Sequence, residues 1–282
     1  MASDLYSTAP SGNYDFSSKS PPGVESEPQP QYFAALNYFF EHPDWLSTLL
    51  LGSLCLLIPI INTMVLLGYR YEIVEMKVRF PDQLYPKFDF NRFSKYLGRG
   101  LLPFLIDFLI QFIINIPIQI SIWIGIGLVA AAGNAQSQLM VVVAGIGVPL
   151  IILIDIVLLT VLQAVLVPVM IRGGLSQDFN QTFNFPWIRD FLRKVWLQSL
   201  LFNLFLFAVG TVLVIPAYLL CFFPVIPVMF FLLGPALAHQ HAQLYRLYLA
   251  RGGEPIPLKP WQMETIYTLP PLGTIPPPSP PV

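Results

Sequence analysis

A long apolar run, from Arg99 to Ile126, is interrupted by polar side chains at a regular spacing of four residues: Asp107, Gln111, Asn115 and Gln119. A step of four residues turns an α-helix by about 400°, so successive members drift by about 40° and form a stripe along the helix. The run is long enough to cross a bilayer, which needs roughly 20 residues. Exposing amides and a carboxyl to lipid costs free energy, so we expect this polar stripe to face other helices, water or a ligand.

The overall composition is typical of a membrane protein. The 282 residues are 55% hydrophobic and 11% charged, with a mean hydropathy of +0.64, whereas soluble domains carry about 25% charged residues. The formal net charge is −1, which gives no reason to expect nucleic acid as a partner. We therefore predict an all-α, polytopic integral membrane protein that lies in the lipid bilayer.

Composition also divides the chain into three parts. Residues 1–30 are rich in Ser, Pro, Gly, Glu and Gln, which predicts a disordered tail. Residues 31–250 form the predicted helical membrane domain, and the proline-rich residues 251–282 favour an extended polyproline II tail. The membrane domain contains about five predicted spans: 45–69, 99–126, 139–170, 196–217 and 221–245.

The first predicted span, residues 45–69, contains Pro59. Proline removes a helix hydrogen bond and clashes with the preceding turn, so we do not expect a straight helix. Two geometries stay open. The segment either makes one kinked crossing or forms a re-entrant hairpin of two short helices that turns near Pro59.

Two amphipathic segments, 88–98 and 183–194, precede the second and fourth spans. Their apolar residues recur at helical spacing while their basic residues fall elsewhere, which favours helices at the membrane surface. The predicted interfacial contacts are Phe90, Arg92, Phe93, Lys95, Trp187, Phe191, Arg193 and Lys194. The aromatic residues 31–42 predict a further short interfacial helix, with Tyr38 as one anchor.

Two internal similarities indicate pseudo-repeats. FDFNRFSKYLGRGLLPFLI (88–106) has the same pattern as FNFPWIRDFLRKVWLQSLL (183–201): F-x-F, then a basic stretch, then a span. LCLLIPIINTMVLLG (54–68) matches LCFFPVIPVMFFLLG (220–234) in its Leu-Cys start, its proline break and its Leu-Leu-Gly end. The repetition is parallel rather than inverted.

The basic residues predict the orientation. Fourteen of the 15 Lys and Arg residues lie in 70–99, in 172–194 and from Arg246 onward, and the turns at 127–138 and 216–224 carry none. Cytoplasmic loops carry the excess of basic residues, so we expect the basic loops and the C-terminus in the cytoplasm. A single crossing at 45–69 places the N-terminus outside, and a hairpin there places it inside.

A second polar position lies in the third span, where Asp155 is near the middle and Gln163 follows two turns later. A charge at that depth is costly, so we expect a neutral, hydrogen-bonded carboxyl. Our hypothesis is that Asp155 bonds to the Asp107 stripe across a helix contact. We call the resulting set of residues the polar seam. It holds the helices together, lines a path for protons or a substrate, or meets a partner. Its members are Asp107, Gln111, Asn115, Gln119, Asp155 and Gln163.

No nucleophile–base pair, phosphate-binding loop or metalloprotease motif is found in the sequence. His239 and His241 are two residues apart, and side chains at that spacing diverge on a helix, so they are not expected to share a metal. We predict that the protein is not an enzyme and has no cofactor and no metal site.

The chain resembles a family of prokaryotic polytopic membrane proteins that has only a domain-of-unknown-function label, of the DUF4013 type. The residues that carry the resemblance are the His-Pro-Asp-Trp sequence from His42 to Trp45, the I-P-I-I break at 58–61, Gly68-Tyr69, and the later F-x-F segments. It extends over about residues 31–250. The resemblance implies a helical bundle in a bacterial or archaeal membrane, and it implies no reaction and no catalytic residue.

These observations favour a non-enzymatic membrane subunit, or an assembly or accessory factor, of a larger membrane complex. The reasons are its small soluble mass, its aromatic-rich spans and its two tails, of which the proline-rich one suits an aromatic groove of a partner. The alternative is a small transporter or channel that uses the polar seam between spans two and three. We expect the protein in the prokaryotic cytoplasmic membrane or an internal one such as the thylakoid, with other membrane subunits as partners.

Overall fold

The computed structural model describes residues 29–59, 61–81, 83–134, 138–221 and 223–258, and these are mostly helical. The elements in chain order are α1 (Ala34–Phe40), α2 (Trp45–Leu56), α3 (Ile61–Arg79), a 3₁₀ turn (Phe90–Arg92), α4 (Phe93–Asn134), α5 (Gln138–Ser176), α6 (Phe179–Thr182), α7 (Phe185–Cys221), α8 (Val225–Phe231), a π-helix (Leu232–Ala236) and α9 (Leu237–Ala250).

Among the described residues, four helical stretches have the length and apolar composition needed to cross a membrane: Phe90–Gly133, Gln138–Ser176, Phe185–Leu220 and Val225–Ala250. No strand occurs in the same part of the chain. The predicted class, an all-α polytopic membrane protein, is therefore confirmed.

The predicted first span is a hairpin of α2 and α3. α2 ends at Leu56, just before the proline break. Thr48 in α2 and Tyr69 in α3 bind the same loop, because the Phe88 N–H donates to Thr48 Oγ1 at 3.5 Å and Tyr69 Oη donates to the Pro86 carbonyl at 2.9 Å. The chain thus returns to the level at which it began, as in the re-entrant alternative and not as in a single crossing.

Close backbone contact joins α3 to α4. A Cβ added at Gly68 would overlap the carbonyl oxygen of Tyr96, and one added at Gly100 would overlap the carbonyl oxygen of Met64. Only glycine permits such an approach of two helix backbones. Because the contacts pair 64 with 100 and 68 with 96, α3 and α4 run antiparallel.

The core lies at one end of the molecule, where α3, α9, the start of α4 and the end of α5 meet. All α3 residues from Val65 to Met76 are buried. The long helices extend from this core with exposed sides, since only 17%, 17% and 11% of the apolar windows in the first three candidate spans are buried. In α7 the stretch from Val195 to Cys221 has no charged residue. Its length is about 40 Å, close to that of a bilayer with its headgroups.

Residues 253–258, the start of the predicted C-terminal tail, lie against the core. Gly252, at a φ of 71°, turns the chain after α9. Trp187 Nε1 then donates to the Glu254 carbonyl at 2.8 Å, and the Ile256 N–H donates to the Tyr245 hydroxyl at 2.7 Å. The predicted polyproline II tail, 251–282, is therefore wrong for its first residues, because they bond to the core. The rest of that tail, 259–282, and residues 1–28 of the predicted disordered tail, 1–30, lie outside the described part of the chain.

The F-x-F repeats have matching roles, because the middle residue of each caps the following helix. Asp89 Oδ1 accepts from the Asn91 N–H at 2.9 Å before α4, and Asn184 Oδ1 accepts from the Trp187 N–H at 3.1 Å at the start of α7. Side-chain oxygens at this position satisfy N–H groups that have no partner within the helix. The two long spans therefore begin in the same way.

Candidate functional site

The polar stripe winds around α4. Asp107 and Gln111 are half-buried, whereas Asn115 and Gln119 are exposed, and Asn115 Nδ2 donates to the Gln111 carbonyl of its own helix, at 2.7 Å. Three steps of 40° add up to about 120°, so the stripe begins beside the core and ends on the outer surface. The predicted seam between helices is therefore wrong for Asn115 and Gln119, because the rotation of the helix turns them outward.

Asp155 is half-buried in α5 and accepts a hydrogen bond of 2.6 Å from Ser121 Oγ of α4. The hypothesis that it bonds to the Asp107 stripe is wrong, since its partner lies beyond the end of that stripe. Gln163, also half-buried, lies two turns further along α5. Ser121 was missed because a lone serine in an apolar run carries little signal, although it is the small polar side chain that follows Gln119 on the same helix.

Arg70 is a buried cation, whereas its position in the basic segment 70–99 predicts a cytoplasmic loop. It is 7% exposed, and its Nε donates at 2.7 Å to the carbonyl of Leu233 in the π-helix. A π-helix leaves backbone groups without their usual partners, and the guanidinium binds one of them. Burial lowers the pKa of Arg70 from its ordinary value, and the neighbouring Tyr71 and Asp107 oppose that change. The first residue of the stripe therefore faces a buried positive charge.

Buried ion pairs connect α3 to α4. Glu72 lies 2.5 Å from Arg92, and Glu75 lies 2.6 Å from Arg79 and 2.5 Å from Arg99. The side chains of both glutamates are almost completely buried, at 2% and 4% exposure. Burial raises the pKa of the Glu72 carboxyl, and Arg92 of the 3₁₀ turn and Arg99 of α4 oppose this rise. We call these five residues the ion-pair cluster, and its contacts fix α3 against the start of α4.

Two of the four predicted interfacial contacts on α7 are buried inside the protein. Trp187 and Phe191 are 2% and 0% exposed, with ring centroids 5.1 and 5.0 Å from that of Tyr248 in α9. Lys194 pairs with Asp190 at 2.8 Å. The prediction of membrane contacts is wrong for the two aromatic residues, because α9 covers this face of the helix. Arg193 stays exposed.

The contacts predicted before α4 are divided between core and surface. Arg92 is held by Glu72, and Phe93 packs partly buried against the core. Phe90 and Lys95 are exposed, as expected of interfacial residues. Tyr38 of α1 is not an anchor at the surface, since it is 5% exposed and donates to the Pro235 carbonyl at 2.6 Å.

The two histidines of α9 point to different neighbours. The ring of His239 lies 4.2 Å from that of Tyr38, and the ring of His241 lies 6.3 Å from that of Tyr71. Within the described ranges, no group of three or more His, Cys, Asp or Glu side chains is arranged to hold a metal ion. The arrangement therefore offers two chemical features. The exposed amides of Asn115 and Gln119 can form hydrogen bonds, and Arg70 and the ion-pair cluster provide fixed, buried charges.

A family model described as "Protein of unknown function (DUF4013)" matches residues 51–222, from within α2 to the end of α7. Comparison with curated proteins and with solved structures finds no match. The matched segment contains the polar stripe, the ion-pair cluster and three of the four long apolar stretches. Because it covers more than half of the 282 residues, the chain belongs to the DUF4013 family of proteins of unknown function.

Proposed function

We propose that the protein is a non-enzymatic subunit, or an assembly or accessory factor, of a larger complex in a prokaryotic membrane. The observation that supports this function best is the exposure of Asn115 and Gln119 on α4. Exposed amides are ordinary in water and costly in hydrocarbon, so the depth of these two amides in the membrane decides whether they need a polar partner.

The depth follows from the contact between Ser121 and Asp155. Asp155 lies midway between Leu139 and Ile171, the ends of the stretch of α5 in which it is the only charged residue. Gln119 precedes Ser121 by two residues, which places it about 3 Å from the level of this contact. Gln119 is therefore near the middle of the apolar stretch, and Asn115, one turn earlier, lies about 9 Å from that level, which is still within the hydrocarbon thickness.

A protein partner would supply the hydrogen bonds that the two amides lack in hydrocarbon. Each amide has donors and an acceptor, and across a membrane interface such groups bond to polar side chains of a neighbouring helix.

The distribution of basic residues supports the orientation that we propose. The core end of the molecule carries Arg79, Arg99, Lys194 and Arg251, and the turns at the opposite end lack basic residues. The core end then faces the cytoplasm.

A photocrosslinking side chain at position 115 or 119 is expected to give discrete protein adducts in native membranes. The matched control is Ile113, which is 67% exposed on another face of the same helix and is expected to meet only lipid. Protein bands are resolved on denaturing gels, and the variant N115L/Q119L is expected to run at a smaller native size in mild detergent. Equal adducts from all three positions, or no adducts at 115 and 119, would refute the proposed subunit role.

Transport is the second candidate, and it is supported by the polar contact between Ser121 and Asp155 at mid-membrane depth. In proteoliposomes that contain a pH-sensitive dye, the variant D155N is expected to abolish proton flux if this contact is part of a path. The variant S121A keeps the carboxyl and is expected to reduce flux only partly. Flux that is unchanged in D155N removes Asp155 from any mechanism of transport.

A further inference from the structure

An apolar groove lies between α5 and α7 on the outside of the helix bundle. Its volume is about 60 Å³, and the side chains that line it are all apolar: Val161, Ala164, Val165, Leu192, Trp196 and Leu200. The buried Ser199 Oγ donates to the Ala164 carbonyl at 3.0 Å, which holds the two helices together beside the groove. A groove of this kind at membrane depth accepts hydrocarbon, since it offers no hydrogen bond to a polar ligand.

Two arginines continue the line of this groove. With 100° per residue, Arg189 and Arg193 lie within the same arc of about 100° on α7 as Leu192, Trp196 and Leu200. Both arginines are exposed, and neither makes a hydrogen bond or an ion pair within the part of the chain that the structure describes. Trp196, which is 55% exposed, lies between the charges and the apolar end, the place that tryptophan prefers at a membrane interface.

The adjacent carboxylate does not cancel this positive charge. Asp190 Oδ2 accepts hydrogen bonds from Lys194 Nζ at 2.8 Å and from the Tyr248 hydroxyl at 2.9 Å. Lys194 and Tyr248 hold this carboxylate on the inner side of α7, and its attraction to Arg193 is the weaker one. The outer side keeps the two guanidinium groups of Arg189 and Arg193, which suit a phosphate.

We propose that this face of α5 and α7 binds one anionic phospholipid. The phosphate lies against Arg189 and Arg193, and one acyl chain follows Trp196 into the groove. A free phosphate matches only the charged half of this surface, and an apolar peptide matches only the other half. A phospholipid has both parts in the same order, at the boundary that the charged and apolar residues of α7 mark.

The test measures how many molecules of phosphatidylglycerol stay bound to the purified full-length protein, by native mass spectrometry, with phosphatidylcholine as the neutral probe. We expect one tightly held phosphatidylglycerol, and about a tenfold loss of its affinity in R189Q/R193Q. The matched control K87Q/K95Q removes the same charge from exposed positions elsewhere at the core end and is expected to keep the lipid. The variant V165W, which fills the groove, is expected to weaken binding without removing any charge.

Three results would overturn the assignment. Equal retention of the neutral lipid would show that the arginines do not select the headgroup. Equal loss in K87Q/K95Q would show a diffuse surface charge in place of a site. Unchanged binding in V165W would show that the acyl chain does not enter the groove. Each variant is first checked for native size and helical content, so that a folding defect is not mistaken for lost binding.

Discussion

Replacing Gly100 by alanine is expected to prevent α3 from packing on α4. The added Cβ would overlap the carbonyl oxygen of Met64, which is backbone and cannot turn aside as a side chain does. Overpacking typically costs 1–3 kcal/mol, and this case lies at or above the upper end, about 3 kcal/mol, because a whole helix must move. The measurement is the yield of monodisperse protein in detergent, together with the midpoint of its thermal unfolding.

Gly98 provides the control, two residues earlier in the same helix. A Cβ added there meets nothing within 4 Å. Alanine is a better helix former than glycine by about 1 kcal/mol, so G98A is expected to be neutral or slightly stabilising. If G100A and G98A behave alike, the close crossing of α3 and α4 is not a feature of the folded protein.

Replacing Glu75 by leucine is expected to cost about 3 kcal/mol of stability. Its carboxylate is buried between Arg79 and Arg99, and removing it leaves Arg99 as a charge with 12% exposure. The double variant E75L/R99M removes both charges and is expected to recover most of the loss, since apolar groups of similar volume replace a buried pair well. The free energies of unfolding of the wild type, E75L and E75L/R99M are measured in mixed micelles with an increasing fraction of denaturing detergent.

The pair of Asp44 and Lys87 is the matched surface case. Its side chains are 49% and 46% exposed at a separation of 3.3 Å. Solvent screens such a pair, so D44N is expected to change stability by less than about 0.5 kcal/mol. A cost for E75L as small as that for D44N would contradict the role of the ion-pair cluster in fixing α3.

Composition and periodicity were enough to predict the helical membrane class and the break at Pro59, because lipid leaves few choices for a backbone. They were not enough to choose between a crossing and a hairpin. That choice depends on Thr48 and Tyr69 meeting one loop, a contact between residues that are far apart in the sequence. Glu72 and Glu75 were likewise hidden in a segment that reads as polar and basic, since their partners Arg92 and Arg99 come from another helix.

The sequence predicts which residues form the polar stripe better than it predicts the directions in which they face. The spacing of the stripe is correct, but a drift of 40° per step, small between neighbours, separates Asp107 from Gln119 by about a third of a turn. Trp187 and Phe191 have the amphipathic pattern of a surface helix, and only the packing of Tyr248 against them shows that this surface is internal. A local pattern identifies an apolar face without identifying what covers it.

The hairpin of α2 and α3 leaves on the side from which it came, so it does not change the parity of the membrane crossings. Four further crossings are an even number and bring a chain back to its first compartment. We therefore expect residues 29–33 and 253–258 to lie on the same side of the membrane as the ion-pair cluster. One soluble partner on that side would be within reach of both of these segments at once.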